Sequence, residues 1–496
     1  MKPNYESTRN QEIKCLASEA VAKGIALDGG LFVRNDIEDL KLNLKDLLNK
    51  SYIDIAKVIL SKMLDDYTED EIDELVEKAY KNKFSNEEIT PVKKVGEDFV
   101  VELFHGPTSA FKDIALSLLP HLLKKSLEKN NIKEEVLILT ATSGDTGKAA
   151  LEGFKDVPGI KILVIYPNDG VSKVQEKQMR SQEGSNTFVY AINGNFDDAQ
   201  SQVKKLFTDD NLKEELLEKK VRLSSANSIN IGRLVPQMVY YFYSYMKLVN
   251  LKEINFGDEI NFTVPTGNFG DILAGYYAKL LGLPINKLIC ASNENNVLCD
   301  FIKTGSYDKN REFYKTISPS MDILISSNLE RLLYHMSGNE NHYINNLMES
   351  LKNKGKYEIS GDVKDNIKKI FKGGYSTDVE TKAEIKRIYE KYSYVLDPHT
   401  AVAFNVMEKN REEGYKNVVL ATASPYKFSK SVYEAIFQDE KESDVMVDEF
   451  EIMEKLYEKT KVEIPSNLRN LKDKKDIHTS VIDKDKIKDC FEVILW

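Results

Sequence analysis

The sequence predicts an α/β protein whose strands end on one shared crevice, and a repeated three-part pattern carries that expectation. A short apolar run, a loop of small polar residues and glycine, and a helical pattern recur in that order. Val136 to Leu139 leads into TATSGDTGKAALEGF, Asn261 to Val264 into PTGNFGDILAGYYAKLLG, and Val418 to Leu420 into ATASPYKFSKSV. Open α/β sheets bind ligands beyond the carboxyl ends of their strands, where each of these loops falls. One crevice assembled from distant segments is the expected site.

Length and composition narrow the function classes. At 496 residues the chain exceeds what one core supports, so two or three domains are expected. Apolar residues make up 42% and charged residues 30%, with 25 Tyr and 21 Phe, which excludes a disordered chain. A net charge of −10 without a basic stripe argues against nucleic acid as a partner. No leader pattern and no 18-residue apolar window occur, so a soluble cytoplasmic protein without membrane contact is expected. Cys15, Cys290, Cys299 and Cys490 lack CxxC spacing and six scattered histidines form no ligand set, so neither disulfide nor metal is expected.

Taken in order, residues 1–95 carry helical patterns such as Ile53 to Met63 and Glu71 to Tyr80, and read as a mainly helical cap. Residues 96–300 and 392–435 hold the α/β repeats and form the catalytic core in two subdomains. Between them, 301–391 is irregular and charged, with turns at Gly338, Gly355, Gly361 and Gly373-Gly374, and reads as an insertion. Residues 436–496 read as a polar helical segment with charge runs such as KDKKD.

The chemistry begins at HGPTSAFKD (105–113). From Phe111 the apolar residues follow a helical stripe, with Lys112 at its margin in the first turn and Pro120 expected to kink the helix or end it early. Partial burial and the helix dipole both lower a lysine's pKa from its usual ~10.4, and a neutral amine is a nucleophile suited to a Schiff base. From this stretch alone a snorkelling surface lysine is the favoured reading. TATSGDTGKAA (140–150) offers hydroxyls and free amides at a helix start, either an anion site or a plain capped turn. In PTGNFGD (265–271), Gly267 and Gly270 allow close backbone approach to a phosphate, although neither a dinucleotide nor an ATP fingerprint is present.

An activated lysine, an anion nest and a glycine nest together describe a pyridoxal 5′-phosphate site better than any one alone. On those motifs the chain resembles the threonine synthase family. The resemblance rests on HGPTSAFKD, ATSGDTGKAA, VSKVQEKQM (171–179), SANSINIGR (225–233), PTGNFGD and SPSMDILISSNLERLL (318–333). YESTR (5–9), GIALDGGLFV (24–33), LDPHTAVAF (396–404) and TASPYKF (422–428) extend it to about residue 435.

The resemblance implies fold type II: two open twisted α/β domains around a central cleft, with the N-terminal cap and the irregular insertion added. It implies that Lys112 carries pyridoxal phosphate as a Schiff base and then acts as general base and acid. Gly267, Asn268, Phe269 and Gly270 would hold the cofactor phosphate, and Thr422 the pyridine nitrogen. Ser143, Gly144, Asp145 and Thr146 would take the substrate carboxylate, and Asn227, Ser228, Asn230 and Arg233 its phosphate. The last motif departs from the family's TAHPAKF at Ser424 and Tyr426, which leaves Thr422 and Ser424 both open as partner of the ring nitrogen.

The implied enzyme is a lyase of threonine biosynthesis, a monomer or homodimer, converting O-phospho-L-homoserine and water to L-threonine and phosphate. A phospho-lyase or dehydratase giving 2-oxobutyrate, ammonia and phosphate shares the fold. A non-catalytic binding protein on a degenerate scaffold is disfavoured by Lys112, the glycine nest and Arg233 occurring together.

Overall fold

The computed structural model describes residues 2–142, 144–168, 170–437 and 448–495. Its first element is a three-stranded antiparallel sheet, in the order Lys14–Cys15, Tyr5–Ser7, Phe32–Arg34. The helices Tyr52–Met63 and Glu69–Tyr80 follow, and reciprocal caps explain where both begin. Ser51 Oγ accepts from Asp54 N while the Asp54 carboxylate accepts from Ser51 N, and Thr68 and Glu71 repeat the arrangement. The small sheet was invisible to periodicity because strands of two and three residues are too short to alternate.

Two larger sheets frame the cleft. One has six strands in the order Phe371–Tyr375, Ile285–Ser292, Ile260–Pro265, Lys416–Ala421, Asp98–Glu102, Val92–Val95, parallel throughout except for the last pair. The other has five parallel strands: Val481–Asp483, Thr187–Asn193, Ile160–Pro167, Glu135–Ala141, Val221–Ser224. The central strands of both are buried apolar runs, as parallel sheets covered on both faces require.

Three of the four edge strands of these sheets lie outside the expected core segments, Val92–Val95 among them. Phe371–Tyr375, within the expected insertion 301–391, forms an edge of the six-stranded sheet, in register with Leu288 to Ser292. Gly373 and Gly374 are strand residues there rather than turn residues. A Cβ on Gly374 would lie 2.6 Å from Val406 Cγ1, so the glycine permits the helix Pro398–Lys409 to approach. The tail beyond 436 likewise supplies Val481–Asp483 as well as helices.

The stripe that begins at Phe111 is divided into Lys112–Leu116 and Leu119–Lys129. Pro120 sits in the first turn of the second helix, where its missing N–H has no partner to lose. Among the described residues no helix is long and apolar enough to cross a membrane, and no cluster of His, Cys, Asp or Glu is arranged to hold a metal.

Candidate active site

A cleft of about 600 Å³ opens at the carboxyl ends of Glu135–Ala141, Ile260–Pro265 and Lys416–Ala421. Lys112, Asp145, Thr146, Asn227, Ser228, Arg233, Gly267 to Gly270 and Thr422 all line it. The three strand-loop-helix repeats therefore do meet. Ser143 lies outside the described residues.

Lys112 is the first residue of its helix, and backbone bonds tie its loop to the loop of Thr422. Phe111 N–H donates to Thr422 O at 2.8 Å, Ser424 N–H donates to Ser109 O at 3.1 Å, and Ala110 bridges Ala423. The ammonium end does not snorkel: the side chain is 11% exposed, with Nζ 4.7 Å from the centre of the Phe111 ring. Burial pulls the amine down from the usual lysine value to about 8 against the attraction of Asp145, with Arg233 and Lys427 pushing the same way as burial. A substantial fraction of the amine is uncharged at mildly alkaline pH.

Residues 267–270 form an amide nest. Ser326 Oγ donates to Gly267 O at 2.9 Å, and Asn328 donates to Asn268 O through its backbone N and its Nδ2. The carbonyls are thereby spent on the neighbouring loop. Among the described residues the N–H groups of Gly267, Asn268, Phe269 and Gly270 donate to no protein acceptor, which fits a phosphate at the start of the helix Gly270–Leu280. A Cβ on Gly267 would stand 2.7 Å from Ser320 O, and Phe269 is held left-handed at φ 61°. Thr422 presents a hydroxyl with no bond within the described protein, whereas Ser424 Oγ accepts from Tyr426 N and caps the turn Pro425–Phe428. The amide nest, the half-neutral amine and the free hydroxyl suit the phosphate, aldehyde and ring nitrogen of pyridoxal phosphate.

Arg233 supplies the cation for a second anion. It is 3% exposed, Nη1 donates to Ala226 O at 2.8 Å, and Nε has no partner. Among the described residues no carboxylate pairs with it. Burial lowers its guanidinium to about 10, still charged at neutral pH. A buried, uncompensated guanidinium on a cleft wall calls for an anionic ligand.

Two expected ligands are otherwise occupied. Asn230 does not line the cleft: its Oδ1 accepts from Gly232 N at 2.8 Å, its Nδ2 donates to Val21 O at 2.9 Å, and it caps the turn that carries Arg233. The Asp145 carboxylate is an ion-pair centre, 2.7 Å from Lys427 Nζ and 3.8 Å from Lys112 Nζ. Burial would raise its pKa, but the two ammonium groups and the bonds from Lys427 and Gln175 outweigh burial and hold it below the usual carboxylate range. Among the described residues of this loop, the backbone N–H groups at 145–146 and the Thr146 hydroxyl are left to receive a carboxylate. Gly144, with φ +132°, makes the turn into this helix, and a Cβ there would lie 2.4 Å from Gln175.

Residue types alone did not single out several members of the site. Lys427 is fully buried within TASPYKF. His399 lines the cleft with Nδ1 2.8 Å from Asp397 Oδ1, and its Nε2 accepts from Ser320 N at 3.2 Å, so Nδ1 carries the proton. Arg331, without exposure, donates to Phe32 O, Asn328 Oδ1 and Ile229 O, and so joins the N-terminal sheet to both anion loops. A lysine flanked by aromatic residues was the available signal for Lys427, whereas Arg331 follows Glu330 and reads as an ordinary helix-surface charge.

Three family models tile the chain. The one described as "Threonine synthase N terminus" matches residues 4–80, "Pyridoxal-phosphate dependent enzyme" matches 89–423, and "Threonine synthase, C-terminal" matches 400–488. The chain belongs to the threonine synthase family of pyridoxal-phosphate-dependent enzymes. Threonine synthase of Saccharomyces cerevisiae is 36% identical over 493 residues, covering 92% of this chain and 94% of that one. Threonine synthase-like 1 of Macaca fascicularis is 39% identical over 432 residues, 84% of this chain, and the match spans 58% of that relative's length. The crystal structure of PLP-bound threonine synthase from Brucella melitensis superposes with a TM-score of 0.87 at 36% identity, covering 99% of this chain and 98% of that one. The fold is that of the fold type II threonine synthases.

Proposed function

We propose that the protein converts O-phospho-L-homoserine and water to L-threonine and phosphate, as the last step of threonine biosynthesis. The observation that carries this reading is Arg233, a buried guanidinium with a free Nε on the same cleft as an uncharged-capable Lys112. The substrate has two anionic ends, and the cleft offers two separate receptors in addition to the cofactor's nest. Arg233, Ser228 and Asn227 take the phosphate, since the guanidinium fork matches a phosphoryl oxygen pair. Backbone N–H groups at 145–146 take the carboxylate and so orient Cα toward Lys112.

Pyridoxal phosphate, when bound, supplies the electron sink that makes the Cα proton removable. Lys112 holds the cofactor, and its amine then moves protons at Cα and Cβ. Gly267 to Gly270 would receive the cofactor phosphate, and Thr422 would serve the ring nitrogen as a neutral partner. Arg233 steadies the leaving phosphate on the side chain's far end. We read the enzyme as cytoplasmic, and as a monomer or homodimer, with all of these residues drawn from one chain.

The test is a product assay on the purified holoenzyme. Threonine and inorganic phosphate are expected in equal amounts from O-phosphohomoserine. Formation of 2-oxobutyrate and ammonia as the main products would instead assign a dehydrating phospho-lyase.

A further inference from the structure

Asp145 faces two buried amines, yet it can fully neutralise only one. Lys427 Nζ lies 2.7 Å from Oδ1 and donates also to Thr108 O at 3.0 Å. Gln175 Nε2 donates to the same Oδ1 at 2.9 Å. Lys112 Nζ stands 3.8 Å from Oδ2, beyond hydrogen-bond distance. We propose that Lys427 is a positioning residue that makes the Lys112 amine easier to deprotonate by occupying the Asp145 carboxylate. This deepens the reading of Lys112 as nucleophile and rests on it.

The other acids near Lys112 carry charge at about pH 8 but make no ion-pair contact with it among the described residues, being held by other donors. Arg233 and Lys427 are cations. Asp113, on the same helix, accepts from Thr108 N at 2.8 Å and Thr108 Oγ1 at 2.6 Å, and burial pushes its carboxyl up to about 6. Asp271 accepts from Tyr240 at 2.6 Å and Tyr241 at 2.9 Å, with burial again raising it to about 6. The Phe111 ring, 4.7 Å away, gives the ammonium only a weak attraction. Asp145 is therefore the one strongly acidic carboxylate within reach of Lys112 among the described residues, and its shorter contact belongs to Lys427. Coulomb attraction falls with distance, and a buried charge left without a close partner gives up its proton.

Lys427 lies in the turn Pro425–Phe428 and does not line the cleft, so it acts through Asp145 rather than on substrate. Removing its charge leaves Asp145 to Lys112, which then holds its proton more tightly. The measurement is competitive acetylation of Lys112 in the full-length chain freed of cofactor, read by peptide mass mapping as a function of pH. For the native chain the half-reactive pH is expected near 8. In Lys427→Met it is expected to rise by about one unit or more, a loss of reactive amine of ~5-fold or more at the native midpoint. Lys427→Arg, which keeps the charge, is expected to leave the midpoint in place.

An unchanged or lowered midpoint in folded Lys427→Met overturns the proposal. Should that variant fail to fold, nitrogen-15 spectra of lysine-labelled native protein decide. An ammonium at Lys427 beside an amine at Lys112 above about pH 8 supports the proposal, and the reverse pattern overturns it. None of these readouts depends on threonine being formed, so failure of the proposed activity and failure of this inference are told apart.

Discussion

Arg233 illustrates how one residue gains meaning only from its surroundings. In SANSINIGR it is an arginine among many, but in the fold it is buried without an acid and with Nε unbonded. Charge-assisted hydrogen bonds are worth ~1.5–3 kcal/mol each, so Arg233→Met is expected to lower kcat/KM for O-phosphohomoserine by about 100-fold or more. Weaker inhibition by inorganic phosphate should accompany it. Steady-state kinetics showing an unchanged kcat/KM would remove Arg233 from the substrate site. Lys112 makes a prediction in pH. Its amine sits near 8, so the rate of pyridoxal phosphate capture by the cofactor-free chain should climb with pH through about 8 and then level off. Lys112→Ala should show neither that capture nor a yellow colour, and absorbance spectra check both. Lys112 was legible because a helix start, an apolar stripe and a cation conflict in one short motif. The side chains of Asn230 and Asp145 bond to other protein groups, which their residue type could not reveal, because a polar side chain in a loop can turn to solvent, to ligand or to backbone.

Among the elements, the glycine nest depends on a neighbouring loop more than on its own residues. Asn328 and Ser326 hold the carbonyls of 267–268, and Arg331 fastens Asn328 while also donating to Ile229 O beside Ser228. Gly267→Ala would press a methyl against Ser320 O and is expected to weaken pyridoxal phosphate affinity at least ~10-fold, measured by absorbance titration. Retained affinity would show that the loop shifts freely. The helical patterns from Ile53 and Glu71 fall one and two residues inside the observed starts, which Ser51 and Thr68 set by capping. Thr68→Ala should cost about 1 kcal/mol in denaturant unfolding, without affecting cofactor affinity. The edge strand Phe371–Tyr375 was not readable, because the run FKGGY is short and carries two glycines that elsewhere mark turns.

For the molecule as a whole, the tail is structural despite its polar composition. Leu456, Leu468, Ile487 and Phe491 are buried, Asn467 donates to Pro107 O at 2.7 Å, and Val481–Asp483 pairs with Ala191 to Asn193. Burying a large apolar side chain is worth ~1.5–3 kcal/mol, against a net stability of about 5–15 kcal/mol for a domain. A chain lacking residues 448–496 is therefore expected to lose its cooperative unfolding transition, as followed by circular dichroism. Survival of a native-like transition would mark the tail as an appendage. The charge runs concealed this role, since lysines and acids on the outer face outnumber the apolar residues beneath them.

The cleft also has a history in time. Its wall draws on positions from Phe111 to Thr422, so during synthesis the lysine and the amide nest emerge long before the last of its lining loops. A ribosome-bound chain shorter than that can own the amine without the pocket, and the coenzyme becomes a late guest whose arrival certifies that nearly the entire polypeptide has already found its place.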